Sequence, residues 1–389
     1  MFSRRTHFPL IPNALAVAVA SQRARGVAFD DLTASNPTHV GLSPSEDVLA
    51  PVLGGGGVGR YEPEPLGSPA ARQAIAGYYA SRGCTVDGSH LVLSASTSEA
   101  YGWLFKLLCD PGDEVLVARP SYPLFDELAR FEGVTLVDFP LVYEGRWELD
   151  LTTMQRAFTP RTRAVMLVHP NNPTGSLVAH ETREALCTWC AARGVALVVD
   201  EVFLDWTWTE GARAATFADE ARCLTFTLGG LSKTLLLPQV KLAWTVVSGP
   251  AALRDEALAR IELIADTYLS VSASAQRAAC ALLPRHQELV APALARIRGN
   301  LSTLRSRVGS ASSATVLGAE AGWYAVLRVP ATMREDDWVL TLLDEARALV
   351  QPGWFYDFAR GTHLVLSLLP ERDVFARAID RVLDRIDRA

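Results

Sequence analysis

Lys233 closes the stretch Gly229-Gly230-Leu231-Ser232-Lys233, a tight turn between two apolar runs, 223–228 and 242–247. Continuous apolar runs of this length, bounded by turn signals, read as buried strands. A lysine held between buried strands is partly desolvated, which lowers its pKa and makes the neutral amine available. Such an amine forms a Schiff base with an aldehyde. Ser232 beside it and Lys241 a few residues on are suited to an anionic group. The chemistry indicated is that of an aldehyde carrying a phosphate. A Ser-Lys pair alone is equally a surface turn, so the reading depends on what the rest of the chain brings to it.

The elements that must place this lysine follow an α/β pattern. Apolar strands are expected over 91–93, 114–118, 135–139, 164–168, 196–199 and 223–228, with helices over 68–82, 94–109, 122–132 and 180–193 between them. Solid rather than alternating strands suit a mostly parallel sheet covered by helices on both faces. After about residue 250 come long helical segments, 251–263, 274–283 and 288–308. The chain closes with strand 322–329, helix 335–348, strand 363–368 and helix 373–387. This predicts a large α/β domain over 43–283 and a smaller α+β domain over 284–389, joined by an N-terminal segment, 1–42, with its own helix over 13–25. Gly54 to Gly59 reads as a loop rather than a phosphate cradle, because Arg60-Tyr61-Glu62-Pro63 follows it instead of a helix start.

Composition narrows the function. The 389 residues are 49% hydrophobic and 21% charged, which suits a soluble protein with a large core. The net charge of −6 and the lack of a Lys/Arg block argue against nucleic acid. No uncharged apolar stretch reaches about 18 residues, so no membrane span is expected. Ser3-Arg4-Arg5 loosely mimics an export signal, but the apolar run after it is short and follows Pro9, Pro12 and Asn13. Cys187-x-x-Cys190 lies in a helical segment with no second pair at a suitable spacing, so two reduced thiols in a cytoplasmic protein are expected.

In a parallel sheet, ligands bind beyond the carboxyl ends of the strands. The first strand is followed by Ser96, Thr97 and Ser98 at a helix start, where hydroxyls cap the helix or bind phosphate. The next is followed by Tyr122 in a proline-bounded turn, another by Asn171-Asn172-Pro173-Thr174-Gly175, and the next by Asp200 and Glu201; the last leads to Lys233. Pyridoxal 5'-phosphate needs this set. Its phosphate takes helix N–H groups, hydroxyls and a cation; its ring takes a flat partner, Tyr122. Its pyridine nitrogen takes a buried carboxylate, Asp200, and its phenolic oxygen a donor, Asn172.

With these residues in view, the chain resembles the fold-type I, pyridoxal-phosphate-dependent enzymes of the class I/II aminotransferase family, over nearly its whole length. The matching pieces are Tyr61 with Leu66-Gly67 and Ala74-Ile75-Ala76, Asp110 to Val115, Pro120-Ser121-Tyr122-Pro123, Asn171 to Gly175, Asp200-Glu201-Val202-Phe203 and Ser232-Lys233. The resemblance implies that Lys233 is the Schiff-base lysine and the acid/base of a ping-pong transfer from an amino donor to a keto acceptor. It implies that Asp200 pairs with the pyridine nitrogen, Asn172 with the phenolic oxygen, and that Tyr122 stacks on the ring. Ser96, Thr97, Ser98, Ser232 and Lys241 would bind the phosphate. Tyr61 would reach the phosphate of the neighbouring subunit in a homodimer.

Four positions depart from the family pattern. Phe203 stands for a tyrosine, Gly230 for a serine and Lys241 for an arginine. Val365 stands where relatives carry the arginine that clamps the substrate carboxylate, with Arg328 and Arg360 as candidate substitutes. The same scaffold also supports decarboxylation or β-elimination, and, in another class, a non-catalytic regulator that binds pyridoxal phosphate. No helix-turn-helix accompanies this chain to support the regulator.

Overall fold

The computed structural model describes residues 1–8, 10–55, 61–209, 213–309 and 312–389. Most of the glycine-rich stretch 54–59, with Arg60, lies outside the described residues. The centre is an eight-stranded sheet in the order Leu91–Ser94, Ala243–Ser248, Thr225–Gly230, Ala196–Asp200, Thr162–Val168, Glu114–Arg119, Thr135–Tyr143, Trp147–Leu149. Six strands run one way. Ala243–Ser248 and the edge strand Trp147–Leu149 oppose them.

The strands are apolar throughout because both faces are covered. Val115 and Val117 pack on one side with Tyr101, Phe105, Ala257 and Ile261. Leu116 and Ala118 pack on the other with Leu186, Cys187 and Cys190. Alternate residues thus serve opposite cores, as the two-residue strand period requires.

A second sheet, wholly antiparallel, has the order Thr315–Val316, Tyr324–Arg328, His363–Ser367, Gln351–Pro352. Helices His286–Arg307, Glu335–Glu345 and Arg372–Ile386 bury their apolar faces around it. The N-terminal segment is stitched to this region: Asp30–Asp31 pairs in parallel with Ala348–Leu349, and Asp30 is held by Arg377 and Arg381 at 2.7 Å each.

Some boundaries differ from expectation for identifiable reasons. The helix expected from Tyr122 begins at Phe125, because Pro123 disfavours helical backbone at the residue before it. The strand expected to stop at 228 runs through Gly229 and Gly230, which stay extended. The indole of Trp244 fills the space beside Gly229, where a Cβ would meet it at 2.6 Å. Helix Glu46–Leu53 has no counterpart in the expected pattern, since Pro51 interrupts its periodicity. Among the described residues no helix is long and apolar enough to cross a membrane.

Candidate active site

The six co-directed strands end at one edge, and register fixes what meets there. Asp200 is opposite Val168 on one side and Leu228 on the other. Ala243 is opposite both Ser94 and Gly230. One edge therefore carries the helix start at Ser96, the Asn171–Gly175 loop, Asp200, the Gly230–Lys233 turn and Lys241.

Lys233 lies in the single helical turn Leu231–Thr234. Its ammonium nitrogen sits 4.7 Å from the centre of the Trp323 ring and 6.0 Å from that of Phe203. Burial among these rings pushes its pKa down to about 8, against the opposing pull of the Asp200 charge. Asp200 is itself buried, and burial raises its carboxyl to about 6, only partly offset by hydrogen bonds from Val202 N (3.0 Å) and the Tyr101 hydroxyl (2.8 Å) and by the Lys233 charge. A protonated ring nitrogen against this carboxylate would restore its ionisation.

The other expected residues are placed as follows. Asn172 is buried, and among the described residues its Oδ1 has no hydrogen-bond partner. Tyr122 is partly buried and close enough to Asp200 for that charge, after burial, to raise the phenol's pKa. Ser96 caps helix Thr97–Leu108, accepting from Glu99 N at 3.2 Å, and its hydroxyl proton remains available to an anion. Thr97 and Ser98 supply first-turn N–H groups with no upstream carbonyl to receive them. Ser232 is partly buried beside the lysine. Lys241 is exposed and has left-handed backbone, φ +60°, just before the strand residue that faces both Ser94 and Gly230. Tyr61 is 78% exposed, apart from this cluster within the single chain. An orphaned amide, a buried carboxylate, a desolvated amine and a free helix start together fit a phosphorylated pyridine aldehyde.

Two neighbours escaped the sequence reading. Tyr101 donates to Asp200 from the second turn of the phosphate-side helix, and Trp323 reaches Lys233 from the start of the small sheet. A helical-face pattern marks Tyr101 only as core, which it also is.

Val365 is wholly buried, opposite Val326 and Gln351. Neutral groups stand nearby: Tyr356 donates to Gln351 Oε1, and the Tyr324 and Tyr356 ring centres lie 6.3 Å apart, both near Tyr122. Arg328 is exposed and four residues along the strand from Tyr324, roughly 13 Å away at strand rise. Arg360, also exposed, precedes the same far end. Arg119, at the site edge, is spent on Asp126, Asp138 and Asp357 at 2.7, 3.0 and 2.9 Å.

Residues 37–370 match the family described as aminotransferase class I and II. Over 376 residues the chain is 26% identical to alanine aminotransferase of Mycobacterium tuberculosis, covering 93% of this chain and 86% of that protein. It is 27% identical to rice nicotianamine aminotransferase 1 over 230 residues, which span 59% of this chain and less than half, 46%, of that protein. Among solved structures, alanine aminotransferase from Pyrococcus furiosus superposes over the full length of both chains with a TM-score of 0.90 at 22% identity. A Thermus thermophilus aspartate aminotransferase variant gives 0.85 at 24% over 99% of each chain, and at these identities the likeness speaks to the fold. The chain belongs to the class I and II aminotransferase family, and is a pyridoxal-phosphate-dependent transaminase of fold type I.

Proposed function

We propose that the chain moves an amino group from an amino donor to a keto acceptor, with Lys233 as both the covalent anchor of the cofactor and the proton carrier. The observation that carries this reading is the desolvated Lys233 amine beside the buried Asp200. Bound there, pyridoxal 5'-phosphate supplies an aldehyde and an electron-withdrawing ring that stabilises negative charge at the substrate's reacting carbon. The rest falls to the chain's own groups. Asp200 holds the ring-nitrogen proton, and Tyr101 keeps that carboxylate oriented. Asn172 donates to the phenolic oxygen, and Tyr122 covers the ring. Thr97 and Ser98 N–H groups, with the hydroxyls of Ser96, Thr97, Ser98 and Ser232 and the charge of Lys241, take the phosphate. Lys233 Nζ, poised near neutrality, would take the proton from the substrate carbon and hand it on across the 1,3-shift that transfers the amino group. Trp323 and Phe203 keep water from that amine.

The finer reading includes a homodimer, supported by the exposed Tyr61, whose ring would complete the partner's phosphate site. It also includes a cytoplasmic location, which suits six unpaired cysteines. The division into 1–42, 43–283 and 284–389 is supported by the pairing of Asp30–Asp31 with Ala348–Leu349. The neutral wall of Tyr324, Tyr356 and Gln351 at Val365 suits a donor that presents an uncharged group there.

The test is the visible absorbance of the purified protein with pyridoxal phosphate, followed as amino acids and carboxylate-free amines are added. Conversion to the pyridoxamine form supports transamination, whereas release of carbon dioxide or ammonia supports decarboxylation or elimination. Binding without turnover of any amine supports a regulator. Absorbance unchanged by Lys233→Ala sinks the assignment of Lys233.

A further inference from the structure

The thiols at the other edge of the large sheet take no part in this chemistry. Cys187 and Cys190 lie three apart on helix His180–Arg193 and share its buried face. Cys223 precedes strand Thr225–Gly230, and Glu220 lies in the turn before it. The spacing is Cys-x-x-Cys followed by Glu-x-x-Cys, a second pair hidden from the sequence because its first member is a carboxylate. Ligand atoms of Cys187, Glu220 and Cys223 all lie within 4.8 Å of one another, and Cys190 is buried one helical turn from Cys187, with its thiol toward Cys223. All four side chains are buried: 0% exposed for Cys187 and Cys190, 2% for Cys223, 4% for Glu220.

We propose that Cys187, Cys190, Glu220 and Cys223 bind one thiophilic divalent cation, zinc(II) foremost. Zinc takes sulfur at about 2.3 Å and carboxylate oxygen at about 2.0–2.2 Å in a tetrahedron, which sets neighbouring ligand atoms roughly 3.5 Å apart. Three of the four ligand atoms already lie within 4.8 Å of one another, and the Cys190 thiol would close in as the fourth. A sulfur-rich set selects zinc over magnesium or calcium, which prefer oxygen.

Charge also favours a cation. Three thiolates and a carboxylate carry four negative charges, which a divalent ion halves and two guanidiniums at Glu220 offset further: Arg222 at 2.8 Å and Arg183 at 3.8 Å, each shared with one more carboxylate, Glu184 and Asp219. Supporting contacts orient the ligands, as they do in built metal sites. Ala221 N and Arg222 N donate to Glu220 Oε1 at 3.1 and 2.9 Å, and Thr225 Oγ1 lies 3.5 Å from Cys223 Sγ. The cation would sit between the Cys187 thiol and the Glu220 carboxylate, whose ligand atoms already lie within 4.8 Å of each other. The strand beginning after Cys223 ends at the turn of Lys233, six residues and roughly 20 Å away. The ion is therefore a staple between that strand and the helix facing it, not a catalytic group.

The test is metal uptake by the reduced, chelator-treated holoenzyme. Elemental analysis should find about one zinc per chain after dialysis. Cobalt(II), read as a difference spectrum against the same holoenzyme, should give thiolate charge-transfer absorption and intense tetrahedral visible bands. Cys223→Ser should abolish these bands. Should that variant fail to fold, Glu220→Gln, which keeps the shape, should still weaken zinc binding by at least about tenfold. Cys84→Ser, outside the cluster, should bind as the unsubstituted protein does. Absence of cobalt–thiolate bands in the folded protein, or unchanged binding in Glu220→Gln and Cys223→Ser, overturns the proposal and leaves three packed thiols.

Discussion

The hydroxyl of Tyr101 donates to Oδ2 of Asp200 at 2.8 Å, joining two buried side chains 99 residues apart. The phenol's own pKa is far above its ordinary value, chiefly through burial and the Asp200 charge, so Tyr101 acts only as a donor. Its bond is one of the influences that hold Asp200 down against burial. Tyr101→Phe should therefore raise the Asp200 pKa above its present value of about 6. The loss of a hydrogen bond to a buried carboxylate should cost about 2 kcal/mol of stability. The acid limb of the transamination pH profile should move to higher pH, with kcat down by about tenfold. An unmoved acid limb would show that this carboxylate is not the group the reaction titrates.

The reactivity of Lys233 should follow its lowered pKa. A surface lysine reaches full amine reactivity only above about pH 10.4. In cofactor-free protein, the rate of pyridoxal-phosphate capture should instead level off above about pH 8. Asp200→Asn removes the charge that raises the lysine's pKa and should shift the plateau lower still. Stopped-flow absorbance across pH 6–11 measures both, and a plateau near pH 10 would contradict the desolvated amine.

Glu201, next to Asp200, points into the fold and accepts Thr216 Oγ1 and Phe217 N, each at 2.6 Å. Burial raises its carboxyl to about 8 from 4.5, the hydrogen bonds notwithstanding. Between those values the folded protein keeps a proton that the unfolded chain has released. Stability is then full below about pH 4.5 and falls as pH rises toward 8. Relative to Glu201→Gln, the unsubstituted protein should lose up to about 1.4 kcal/mol per pH unit in this window. Urea denaturation of both proteins at pH 5, 6 and 7 checks the slope, and parallel stability curves would refute it.

Gly175 ends the loop that carries Asn172, with φ +67° and its missing Cβ only 2.1 Å from the Ala321 carbonyl oxygen. The backbone N–H groups of Ala321 and Glu320 donate to Gly175 O at 2.9 and 3.0 Å, so neither side of the contact can yield. Gly175→Ala should cost at least about 2 kcal/mol, from overpacking and left-handed strain together. It should also loosen cofactor binding through Asn172. A melting temperature and pyridoxal-phosphate affinity equal to those of the unsubstituted protein would count against this coupling of loop and small sheet.

Local pattern was enough to bring the candidate residues to one edge. Strands such as Ala196–Asp200 are solid apolar runs because both faces are covered, and whatever follows a co-directed strand must emerge at one edge. That logic brings Asn172, Asp200 and Lys233 to one edge of the sheet. Short elements left no signature: Thr315–Val316 and Gln351–Pro352 are two residues each, too brief for any period to register. The partners that tune the site were equally hidden. Tyr101 has a core residue's helical spacing, and Trp323 comes from the small sheet. The sequence by itself determined which residue types stand at the strand ends, because hydrophobic periodicity and chain direction are local properties. Only the tertiary structure decided how far Lys233 and Asp200 are desolvated and which distant side chains press on them, because burial is a sum over segments that meet only when the chain has packed.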